Sequence, residues 1–187
     1  MSRRRADPPW AAQLGLVSER RRRTVIDRIL RMRPRPVAEL RDLARRHPNA
    51  YVRAGALSAL IRIRAPGLPS ILSAATRDPA MTVRMRVLGA LTGGGGDTAL
   101  AARLMRDASG GIRVNAIDAA AQRGLRGSAA AVRAGLRDDK WYVRQHAARA
   151  VGTLRDVRAI PVLRRLLHDP RPAVRREAAQ ALAILSR

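Results

Sequence analysis

Apolar positions recur along this chain in blocks of about thirty residues, and each block holds two short runs of helical period. The most regular run begins at Val52-Arg53 and returns at Val83-Arg84, Ile112-Arg113, Val143-Arg144 and Val174-Arg175, at spacings of 31, 29, 31 and 31 residues. Four, five and eight places beyond each Val or Ile stand small or apolar residues: Ala56, Leu57 and Leu60; Val87, Leu88 and Leu91; Ala116, Ile117 and Ala120; Ala147, Ala148 and Val151; Ala178, Ala179 and Leu182. With the Val or Ile itself, those offsets fall on one side of a 3.6-residue helix, so every block predicts a helix that buries this side.

Five residues before each Val or Ile lies a polar turn residue: His47, Asp78, Asp107, Asp138 and Asp169. His47, Asp78 and Asp169 are followed directly by Pro, which ends the preceding helix and starts a tight turn. Upstream of the turns a second set of helices is predicted over 37–46, 68–77, 98–106, 129–137 and 159–167, from Leu, Ile, Val or Met at spacings of three and four. The unit is therefore helix, turn, helix, loop. The loops carry breakers at Pro66, Gly67 and Pro69, at the four glycines of 93–96, at Gly124 and Gly127, and at Asp156 with Pro161. The glycine run predicts local flexibility.

One such helix pair cannot bury its apolar side alone; it must stack on its neighbours, and several pairs are needed before the stack holds. The run Asp169-Pro170-Arg171-Pro172-Ala173-Val174-Arg175-Arg176-Glu177-Ala178-Ala179-Gln180-Ala181-Leu182, with Ala159-Ile160-Pro161-Val162-Leu163 before it, resembles the HEAT repeat family. Within that family it is similar to the bacterial repeats named for phycobilisome lyases. The resemblance covers residues 34 to 187 and implies an all-α, armadillo-like α-solenoid, a right-handed superhelix of five hairpins at 34–64, 65–95, 96–124, 125–155 and 156–187. His47 in place of Asp and Ile112 in place of Val depart from the pattern. Residues 18–33 fit an amino-terminal capping helix, with Ser18 and Glu19 as a start signal and Val25, Ile26, Ile29, Leu30 and Met32 able to cover the first repeat. Residues 1–17 read as a basic leader without order of its own.

Composition sharpens the picture in two ways. The chain is 47% hydrophobic yet has no Phe, two Trp and two Tyr, so closely packed helices with small contact residues fit better than a globular aromatic core. There is no Cys, which excludes disulfides and thiolate metal sites. The 38 basic residues, all Arg except Lys140, face 14 acidic ones for a net charge of +24. A field of this sign attracts phosphate backbones and acidic protein surfaces. It is densest at the amino terminus, where the first 46 residues hold 14 Arg and five acidic side chains. No apolar run approaches the ~18 residues of a membrane span, and no cleavable signal is recognisable, so a cytoplasmic protein is expected.

The chemistry this offers is that of binding. In proteins with this look the motif arginines Arg53, Arg84, Arg113, Arg144 and Arg175 pair with turn aspartates, so Arg53, Arg84, Arg113, Arg144, Arg175, Asp78, Asp107, Asp138 and Asp169 are expected to form structural ladders between repeats. The second helices resemble those lining the concave side of such solenoids, and there Arg86, Arg149 and Arg176 are the cations best placed for a partner. Arg3, Arg4, Arg5, Arg20, Arg21, Arg22 and Arg23 could hold phosphates or an acidic surface. Trp141 and Tyr142, beside Lys140, are candidate contact residues; packing under the turn is the competing reading, preferred for Trp141. The histidines His47, His146 and His168 are scattered, without HExxH or the His-Glu pairs of di-iron hydroxylases of this fold. The glycines at 93–96 lack a following Gly-Lys-Ser/Thr. No catalytic, cofactor or metal residues are therefore expected. The leading reading is a non-enzymatic scaffold for an acidic protein partner. The alternatives are nucleic-acid binding through the Arg-rich amino terminus and, by analogy of fold alone, a bilin-lyase-like chaperone.

Overall fold

A computed structural model describes residues 6–15, 18–92 and 97–186. The glycine loop at 93–96 and the start of the leader, 1–5, lie outside the described residues, as do 16–17. Among the described residues the secondary structure is helical throughout. The chain divides into two compact units, residues 1–87 and 88–187.

In the first unit short α1 (Ala11–Leu14) and α2 (Glu19–Arg31) precede α3 (Val37–Arg46), α4 (Ala50–Arg62), α5 (Leu68–Ala75) and the start of α6 (Met81–Thr92). α3 is amphipathic and buries one stripe, Leu40, Leu43 and Ala44. α4 buries Val52, Ala54, Gly55, Ala56, Leu57, Ala59 and Leu60, positions that run round most of its circumference, because α1, α2 and α3 all pack against it. Its start is set by Asn49, whose side chain accepts the backbone N–H of Tyr51.

Residues 6–15 of the leader do not stand apart from this core, contrary to expectation. Ala11 and Leu14 are fully buried, and α1 lies on α4. The reason is two glycines. A Cβ added at Gly55 would fall 2.6 Å from the Leu14 carbonyl oxygen, and one added at Gly15 would fall 2.9 Å from a methyl of Val52. Backbones without side chains at these points let the short helix approach closely enough to bury Leu14, worth about 1.5–3 kcal/mol against leaving it in water.

In the second unit α7 (Thr98–Leu104), α8 (Gly110–Gln122), α9 (Ala129–Gly135), α10 (Trp141–Thr153), α11 (Ile160–Leu166) and α12 (Pro172–Leu185) alternate as first and second helices of successive hairpins. α10 packs on α8, α9 and α12. Ile112, Val143 and Val174 are at most 1% exposed, and Val52 and Val83 of the first unit are buried likewise. The helices α5, α7 and α9 end two residues short of the sequence reading. Their last residues tighten into i→i−3 bonds, such as Arg77 N–H to the Ala74 carbonyl and Arg137 N–H to that of Ala134, which lead into the turn.

Candidate binding surfaces

The turns are built by two repeated contacts. Each turn Asp accepts the backbone N–H two residues on: Ala80 to Asp78, Ser109 to Asp107, Lys140 to Asp138 and Arg171 to Asp169, all at 2.8 or 2.9 Å. The motif arginines reach back to the same turns. Nη1 of Arg53 donates to the carbonyls of His47 and Pro48, and Arg84, Arg113, Arg144 and Arg175 repeat this with the turn residue and its successor.

The remaining face of the Arg53, Arg113 and Arg144 guanidinium groups points to the next turn. Nε and Nη2 of Arg53 donate to the two carboxylate oxygens of Asp78, both at 2.8 Å. Arg113 holds Asp138 at 2.7 and 2.6 Å, and Arg144 holds Asp169 at 2.8 and 3.1 Å. Bidentate, charge-assisted pairs of this kind fix orientation as well as supply energy. Their electrostatics follow. Burial pushes the Asp78 and Asp169 carboxyls up, but the hydrogen bonds from Arg53 and Arg144, the turn N–H and the nearby cations outweigh it and leave both below the ordinary carboxylate range. Hydrogen bonds to Asp78 and Asp138 push Arg53 and Arg113 up in turn, against the effect of burial.

His47, the one turn residue that is not Asp, does the carboxylate's work with its ring. Nδ1 accepts the Asn49 N–H at 3.1 Å. A backbone N–H can only donate, so Nδ1 carries the lone pair and Nε2 the proton. Nε2 lies 3.2 Å from the Asp7 carboxylate and ties the leader to the first turn.

The partner-facing arginines are differently placed. Arg86, in the first unit, is half-buried. In the second unit Arg176 is exposed on α12, while Arg149 is shared with Asp118 at 2.9 Å. The other oxygen of Asp118 lies 2.8 Å from Nδ1 of His146. The Asp118–Arg149 pair escaped the sequence reading although a signal was present, since both stand six places beyond the Val or Ile of their repeat. Arg133 with Asp156, which braces the loop after α10, was missed as well.

At the amino terminus Arg20, Arg21 and Arg23 are exposed on α2, and Arg3, Arg4 and Arg5 lie outside the described residues. Arg22 departs from expectation: it is 4% exposed and offers no surface to a phosphate. It stands three, four and seven places before the buried Val25, Ile26 and Ile29, so helical periodicity turns it inward with them.

The two aromatics exchange their expected places. Tyr142 is the packed one, its ring against Gly110, where a Cβ would stand 3.1 Å from Cε2 and collide with the hydroxyl. Trp141, the first residue of α10, is 39% exposed. Its ring meets that of Tyr142 edge to face at 5.9 Å and 83°, and the Arg171 guanidinium lies 5.8 Å from its centroid. Among the described residues no group of three or more His, Asp or Glu is placed to hold a metal ion, and no helix is long and apolar enough to cross a membrane.

Residues 96–183 match the family model of HEAT repeats. The bilin-lyase subtype has no such support. No curated protein matches the sequence. Among solved structures, a designed armadillo repeat protein is similar over 96% of this chain and 100% of its own, at 18% identity and a TM-score of 0.55. A second, in complex with the peptide (KR)4, is similar over 97% and 100%, at 16% identity and 0.58. A third, computationally designed for modular peptide recognition, is similar over 96% and 99%, at 17% identity and 0.57. These likenesses establish the fold, an α-solenoid of the armadillo and HEAT kind.

Proposed function

We propose that the chain is a binding scaffold, acting by association rather than catalysis, whose partner is an acidic protein surface. The observation that carries this is where the carboxylates go. Asp78, Asp138, Asp156 and Asp169 are taken up by Arg53, Arg113, Arg133 and Arg144 inside the repeats, and Asp118 by His146 and Arg149. Exposed carboxylates such as Glu39, Asp42 and Asp139 remain, but exposed cations such as Arg176 outnumber them, in keeping with the +24 net charge. Such a surface steers acidic partners and disfavours basic ones. The fold supports the reading, since one similar designed protein is in complex with a basic peptide; the +24 charge here favours the opposite sign.

The test is retention of partners from nuclease-treated lysate on the wild-type protein and on an R149E/R176E variant, with a polyglutamate peptide as defined competitor. A partner lost on charge reversal and displaced by polyglutamate supports the scaffold. Retention equal on both proteins would count decisively against it.

A second reading, contact of nucleic-acid backbones by the amino terminus, is favoured by the exposure of Arg20, Arg21 and Arg23 on one helix. It predicts affinity that falls steeply with salt and is lost in R20Q/R21Q/R23Q.

A further inference from the structure

The turn that opens α10 carries a feature that neither reading uses. Trp141 is exposed, yet its ring is not loose: Tyr142 braces it edge-on, and Tyr142 is itself seated over Gly110 of the preceding hairpin. The Arg171 guanidinium lies over the indole. A large aromatic left in water is ordinary at a protein hot spot when neighbouring contacts exclude water around it. Here, apart from Tyr142, the flanking side chains are charged and solvated: Lys140 precedes it, Arg171 lies 5.8 Å from its ring centre, and Arg137 stands exposed at the start of the same turn. The local carboxylates are paired, Asp139 while its side chain stays 69% exposed. Asp138 faces inward to Arg113, and Asp139 lies between Arg113 at 3.1 Å and Lys140 at 3.2 Å.

We infer that Trp141 is a stacking platform for a base of single-stranded nucleic acid, with Arg137, Lys140 and Arg171 meeting the flanking phosphates. A fixed aromatic plane within a cationic rim is the combination that holds single strands with little regard to sequence, because every base offers a flat face and every nucleotide a charge. The arginines suit it further, as planar guanidinium groups that both stack on aromatic rings and donate to phosphate. This site belongs to the second unit and uses none of the cations named in either proposed reading.

The experiment uses the full chain, a fluorescent-labelled 15-nucleotide thymidine strand, and an abasic strand of equal length and charge. With Trp10 replaced in W10F, the remaining indole reports on Trp141 alone, and titration with the thymidine strand is expected to quench it while the abasic strand does not. By anisotropy, W141A should weaken thymidine-strand binding roughly five- to 150-fold, the loss of one stacked base at ~1–3 kcal/mol, while W141F stays within a few-fold of wild type. Because Trp141 is partly solvent-exposed, circular dichroism and melting of W141A should match wild type. Equal binding of the abasic and thymidine strands, or of W141A and wild type, would reduce the site to bare charge and overturn the inference. So would quenching of Trp141 by polyglutamate at equal affinity, which would assign the platform to an acidic protein.

Discussion

A Cβ added at Gly55 would fall 2.6 Å from the carbonyl oxygen of Leu14, so there is no room for even a methyl group between α1 and α4 at this point. Ala at 55 gains up to about 1 kcal/mol of helix propensity. It must also displace backbone, for which overpacking costs of about 1–3 kcal/mol are usual. G55A is therefore expected to melt lower than wild type and to expose residues 6–15 to limited proteolysis. Gly89 of α6 is the internal contrast, since a Cβ there meets nothing within 4 Å. G89A should gain about 0.5–1 kcal/mol, seen as a higher melting temperature.

The Arg113–Asp138 pair is nearly shut off from solvent, with both side chains at 12% exposure. Removing Arg113 strands the Asp138 charge, at a cost of about 3 kcal/mol, whereas removing the Asp138 charge leaves Arg113 with Asp139 at 3.1 Å. R113Q should lose roughly this much in urea denaturation and D138N less, and the double variant should lose less than the sum of the two.

Acid should act through the same pairs. Asp78 and Asp169 have folded-state values below their unfolded ones, near ~3.9. Their contribution is thus complete above the unfolded value and is lost as pH falls through the folded one. Stability measured from pH 6 downward should hold to about pH 4 and then decline. In D169N that acid limb should be shallower; an unchanged slope would remove Asp169 from the account.

His47 offers a test of one turn built with different atoms. H47A removes the acceptor for the Asn49 N–H and should cost about 1 kcal/mol. H47D restores a carboxylate like that of the other four turns but places it beside Asp7. It should keep the turn, with melting close to wild type, while speeding cleavage of residues 6–15.

Asp118 competes with any acidic partner for Arg149. In titrations with polyglutamate, D118N is expected to bind a few-fold more tightly than wild type and R149Q more weakly. Identical affinities for all three would place the acidic contact elsewhere.

What the sequence could disclose was everything that repeats. The 31-residue return of Val-Arg, with Asp five places ahead, specifies paired helices, turns and buried faces, because one local pattern meets the same physics each time. Arg22 is legible too, since its register with Val25, Ile26 and Ile29 puts it on the buried side of α2.

The remainder depended on contacts that occur once. That residues 6–15 fold onto α4 follows from two glycines forty positions apart, which no local propensity links. That Tyr142 packs and Trp141 stays in water was decided by Gly110 on the preceding hairpin, and the partner of Arg149 by the stacking of α8 on α10. Period and charge sign belong to the chain as a string. Which side chains are covered, and which remain available to a partner, is settled only when distant segments share the same space.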